Sequence, residues 1–118
     1  MNTIGKNGEL LNQMSLKKLY ILDSILKKIK IYESQYITCV DLLFELTHSN
    51  NLLKIKCSNI VEYSFYYRIH KPIYVERCKL FKIDDLFYVC LDPYNEADDI
   101  NENDQDFILC NEIEGYLS

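Results

Sequence analysis

Residues 15–30 read SLKKLYILDSILKKIK. Leu19, Leu22, Ile25, Leu26 and Ile29 fall along one side at helical spacing, and Lys17, Lys27, Lys28 and Lys30 collect mostly on the other. Ser15 is of the type that caps a helix N-terminus. Leucines and straight-chain lysines favour helix, and Lys27, Lys28 and Lys30 near the end complement its dipole. The pattern predicts an amphipathic helix whose Leu/Ile stripe must cover an apolar surface. Residues 1–14, with Gly5 and Gly8, read as a loose lead-in with a helical turn near residues 9–14.

Downstream the period changes from 3.6 to 2. Tyr36, Val40, Leu42, Phe44 and Leu46 alternate with more polar positions, although Leu42, Leu43 and Leu46 also suit a short helix. The cluster Ser49, Asn50 and Asn51 then precedes LLKIKC, which favours a hairpin. NIVEYSFYYRIH (59–70) reads as a strand, with Val61, Tyr63, Phe65, Tyr67 and Ile69 on one face and Glu62, Ser64, Tyr66, Arg68 and His70 on the other. Pro72 ends it. IYVERCKLF follows as a strand, Asp84 and Asp85 as a turn, and LFYVCL as a strand buried on both faces. FILCNEIEGYL closes the chain. The expectation is a single α+β domain over residues 1–118, with an N-terminal helix on an antiparallel sheet of about six strands.

A chain of 118 residues with 48% apolar side chains, ten Tyr and five Phe can bury roughly two thirds of its unfolded surface. The five cysteines, Cys39, Cys57, Cys78, Cys90 and Cys110, show no CxxC pair or zinc-ribbon spacing. An odd count without a signal peptide fits a reducing cytosol. No apolar run approaches membrane-spanning length. The expectation is a cytoplasmic protein that binds neither membrane nor nucleic acid, a monomer or weak homodimer.

Charge is distributed unevenly. All thirteen Lys and Arg lie at or before Lys82, whereas residues 83–118 hold eleven of the eighteen Asp and Glu and no base. Seven carboxylates fall between Asp92 and Asp106. An EF-hand frame from Asp99 places Asp99, Asn101 and Asn103 correctly, but Asp104 stands where Gly is needed and Cys110 where the bidentate Glu belongs. No metal or cofactor is expected. His48 and His70 have no ligand spacing, and no Gly between Gly8 and Gly115 is available to cradle phosphate. Nothing points to a catalytic constellation.

An acidic loop over 92–106 creates a negative potential reaching about one Debye length, ~8 Å at physiological salt. It suits a basic partner, with Tyr94 or Phe107 as an aromatic anchor. The same composition also suits a solvated loop that maintains solubility. The layout, and the stretches DLFYVCLDPYNE and DFILCNEIEGYL in particular, resembles the immunity proteins of bacterial toxin systems, including contact-dependent growth inhibition. The resemblance implies a non-enzymatic inhibitor that neutralises a basic cognate toxin domain, such as a nuclease. Its expected partner-binding residues are Asp92, Tyr94, Glu96, Asp98, Asp99, Glu102, Asp104 and Asp106. Open alternatives are a phage-encoded nucleic-acid mimic, a carboxylate-dependent hydrolase using Asp84, Asp85 or Asp92, and a structural subunit using the tyrosine-rich face.

Overall fold

The computed structural model describes residues 1–65 and 72–118. In chain order these form β1 (Asn2–Lys6), α1 (Gly8–Leu16), β2 (Ile25–Ser34), β3 (Ile37–Glu45), β4 (Leu52–Ser64), β5 (Ile73–Tyr74), β6 (Lys79–Ile83), β7 (Leu86–Asp92) and β8 (Gln105–Leu117). All pairings are antiparallel, in the order β5-β2-β3-β4-β8-β7-β6, and β1 joins the C-terminal half of β8. β8 is the spine. Its first half lies between β7 and β4, and its second between β4 and β1.

The predicted helix over 15–30 is not there. α1 ends at Leu16, and Lys18 takes a left-handed φ of 55°. The Leu19 N–H then reaches the Met14 carbonyl and the Lys18 N–H the Ser15 carbonyl, which is the Schellman arrangement that closes a helix. Leu19 and Met14 are both buried beside this turn. A second reversal at Asp23, φ 65°, leads into β2. The alternation KIKIY in β2 outweighs the helical spacing, because β-branched Ile side chains suit a pleated surface. Ile29 is buried toward the core while its neighbours Lys28 and Lys30 are exposed.

The lead-in of residues 1–14 is instead β1 and most of α1. Gly5 pairs with Gly115 across β1 and β8. A Cβ on Gly5 would come within 2.9 Å of the Leu10 Cα, and one on Gly115 within 2.3 Å of the Leu10 Cδ1. The two glycines thus leave the space that Leu10 fills, so α1 lies directly on the sheet. Asn7 fixes this corner, donating its N–H to the Ile113 carbonyl and accepting the Ile113 N–H on its side chain.

The core occupies one face of the sheet. Val40, Leu42 and Phe44 of β3, Leu53, Ile55 and Cys57 of β4, Phe87 and Val89 of β7, and Ile108, Cys110 and Ile113 of β8 meet Leu10, Met14, Leu19 and Ile21 there. The alternation read for β3 holds from Val40 to Leu46, whereas Tyr36 lies in the β2–β3 turn and is exposed. β4 merges LLKIKC with the following strand, bulging between Ile60 and Glu62. Of its expected apolar face, Val61 and Tyr63 are exposed, and residues 66–70 lie outside the described region. IYVERCKLF divides into β5 and β6, which offsets the merger in β4; β1 and β2, expected as lead-in and helix, bring the sheet to eight strands among the described residues rather than about six. The cysteines are free thiols, and Cys39, Cys57, Cys90 and Cys110 are buried.

The fold also interleaves the two charged halves of the sequence. On the face away from the core, Lys30, Asp41, Lys56, Glu114 and Lys6 oppose one another in turn across β2, β3, β4, β8 and β1. Lys6 also lies 3.8 Å from Glu112, and Lys27 lies 3.3 Å from Glu45. On this face Glu112 and Glu114 therefore sit among early lysines instead of joining an acidic patch.

Candidate docking surface

β7 reads LFYVCLD, and Phe87, Tyr88, Val89 and Cys90 are all buried. Phe87 and Val89 face the core. Tyr88 and Cys90 point the other way, together with Lys79 of β6, and loop 93–104 covers them. The acidic loop is therefore a lid on the outer face of the sheet. Burial beneath it pushes the Cys90 thiol up to about 11.

Asp104 pins this lid. Its side chain is 0% exposed and that of Lys79 1%, with Lys79 Nζ 3.1 Å from Asp104 Oδ2. Oδ2 also accepts the Tyr88 hydroxyl at 2.7 Å and the Asn101 N–H at 3.1 Å, while Oδ1 accepts the Tyr94 N–H at 2.9 Å. Burial alone would raise the pKa of this carboxyl. The four donors outweigh it and hold Asp104 below the ordinary carboxylate range. The Tyr88 phenol is driven upward, by burial first and by its bond to Asp104 second.

Further bonds hold the rest of the loop. Lys79 donates to the Asp99 carbonyl at 2.8 Å and Arg77 to the Pro93 carbonyl at 2.8 Å. Asn95 and Asn101 accept the N–H groups of Ala97 and Asn103, closing two local turns. No buried side-chain nitrogen or oxygen among the described residues lacks a partner.

The eight expected docking residues therefore divide. Asp92, Tyr94, Glu96, Asp98, Asp99 and Glu102 are exposed, Tyr94 by 62%. Asp104 and Asp106 are buried and offer no free carboxylate face to a partner. For Asp104 the reason is the cluster of four donors around it. Asp106 lies at the start of β8 with a left-handed φ of 52°. Ile100, 43% exposed, adds an apolar group that the sequence did not single out. Glu62 of β4 also belongs to this region, because its backbone pairs with Leu109 beside the lid.

Elsewhere, Asp84 and Asp85 form the exposed tip of the β6–β7 hairpin, and His48 is exposed in the β3–β4 loop. His70 lies outside the described region. Among the described residues, no three His, Cys, Asp or Glu are grouped to hold a metal ion, and no helix is long and apolar enough to cross a membrane. No family model, curated protein or solved structure matches this chain.

Proposed function

We propose that the chain is a non-enzymatic binding protein that docks on a basic protein through the lid formed by residues 93–104. The partner in this reading is a cognate toxin domain, which the chain neutralises as an immunity protein does. One observation carries it: the buried Asp104–Lys79–Tyr88 cluster fixes a loop whose remaining carboxylates, at Glu96, Asp98, Asp99 and Glu102, face solvent. A loop kept only for solubility needs no such anchor. A loop that docks gains from one, because ordering before binding removes an entropic cost from association. The Tyr94 backbone is held by its N–H on Asp104, so its exposed ring projects from a fixed point of the lid.

A basic surface meeting these carboxylates would be captured quickly and released slowly once Tyr94 and Ile100 are buried. The test is capture from a lysate of the source cell at low salt, with wild type and the triple variant D98K/D99K/E102K as bait. The reading expects one basic protein, released by salt, absent with the variant, and toxic to cells unless this chain is co-expressed. Equal recovery with both baits, or a partner that is harmless alone, contradicts it.

A further inference from the structure

Beneath the rim of the lid lies a groove of about 400 Å³. It is lined by Leu109 and Phe107 of β8, Tyr88 of β7, Ile100 and Glu102 of the lid, and Glu62 of β4. The groove follows from strand register. Phe81, Tyr88, Leu109 and Glu62 oppose one another in a single row across β6, β7, β8 and β4. The lid covers the Tyr88 end of that row and leaves the Glu62 end open.

The chemistry inside is two-sided. Tyr88 and Asp104 already satisfy each other. Glu62 and Glu102 are exposed, and neither side chain has a hydrogen bond or ion pair among the described residues. Two carboxylates without a partner among the described residues therefore flank apolar and aromatic side chains. An anion is repelled, and an apolar side chain would strip water from both carboxylates without replacing it. A long side chain with an apolar stem and a cationic head satisfies both parts.

We infer that this groove receives an arginine side chain projecting from the basic partner; the inference rests on the docking reading above and specifies its anchor point. Arginine suits the site better than lysine. Its planar guanidinium stacks on an aromatic ring, here Phe107, which lies 5.8 Å from Tyr88. Its fork of N–H donors matches a carboxylate in two-bond geometry, whereas an ammonium is a point charge that holds its water more strongly.

The test uses the full chain, labelled with ¹⁵N and titrated at low salt with a blocked tripeptide carrying a central arginine, and in parallel with its lysine counterpart. Wild type is compared with Glu62→Gln, Glu102→Gln and, as a control outside the groove, Glu96→Gln. The expected result is amide shifts at Glu62, Ile100, Phe107 and Leu109, with the arginine peptide the tighter of the two. Glu62→Gln should weaken binding about tenfold, as loss of one charge-assisted hydrogen bond does, and Glu96→Gln less than about twofold. Unshifted spectra elsewhere in each variant establish that it folds. Equal binding of the two peptides, or no effect of Glu62→Gln, overturns the inference. If the shifts fall on Tyr94 and Asp98 instead, the groove is rejected while docking through the lid stands. Shifts nowhere reject the groove as well, and docking is then judged by the salt-released partner alone.

Discussion

The Lys79 ammonium lies 3.1 Å from the Asp104 carboxylate with both side chains sealed from solvent. Such a pair adds little net stability relative to apolar residues, but it is costly to break from one side. The two sides are unequal. Asp104 accepts from Lys79, Tyr88, Tyr94 and Asn101, whereas Lys79 also has the Asp99 carbonyl to donate to. Asp104→Ala should therefore cost ~3–5 kcal/mol and Lys79→Met distinctly less, in urea denaturation. Amide exchange at Tyr94 and Asn101 should accelerate most in Asp104→Ala. Equal cost for the two variants would contradict this asymmetry.

Acid should open the lid. The folded Asp104 carboxyl titrates below its ordinary value of 3.8, so the native state binds that proton less readily than the unfolded chain. Its contribution is complete above the ordinary value and is lost as pH falls through the folded one. The midpoint of thermal unfolding should drop below about pH 4 in wild type, and Asp104→Asn should flatten that limb. At the other extreme Tyr88 titrates above its ordinary 10.0. Its contribution is present below that value and lost as pH rises beyond it, so Tyr88→Phe should reduce the alkaline loss.

Leu10 and Gly115 should be coupled. A Cβ on Gly115 meets the Leu10 Cδ1 at 2.3 Å, and overpacking of this kind costs ~1–3 kcal/mol. Leu10→Ala alone should cost ~2–5 kcal/mol. Combined with Gly115→Ala it should cost less than the sum, because the added methyl enters the space vacated. Gly5→Ala gains no such relief, since its neighbour is the Leu10 backbone. A double-mutant cycle by chemical denaturation decides between coupling and additivity.

The charge row on the outer face makes another prediction. Lys56 stands directly between Asp41 and Glu114. Lys56→Glu replaces two favourable cross-strand pairs by two unfavourable ones, at ~0.2–1 kcal/mol for each interaction. The destabilisation should shrink in high salt. A loss independent of salt would mean that packing of the lysine stem, rather than charge, matters there.

Much of the sheet was legible because its strands carry period-two patterns: Val40, Leu42 and Phe44 in β3, and the doubly buried run in β7. The helix was misplaced because SLKKLYILDSILKKIK satisfies two periods at once. Local reversals at Lys18 and Asp23, neither a glycine, decide between them. The β2–β3 hairpin was hidden for a similar reason. Gln35 and Tyr36 both adopt positive φ, a turn usually marked by Asn or Gly. In the candidate site, the acidity of the loop was visible but its division was not. Asp104 looks like its six neighbours until Lys79, 25 residues away, is folded beneath it. The one hint was a lysine set among apolar neighbours in RCKLF. Glu62 carried no signal, since only register with Leu109 brings it to the lid.

The most direct measurement is the association rate of the salt-released partner as a function of ionic strength, for wild type and for D98K/D99K/E102K. Docking through the pinned carboxylates predicts a steep fall of the wild-type rate with salt. The variant should associate at least ~10-fold more slowly at low salt, with a flattened dependence. Identical rates and slopes for the two proteins would contradict the account and leave the lid as a solvated cover over Tyr88 and Lys79.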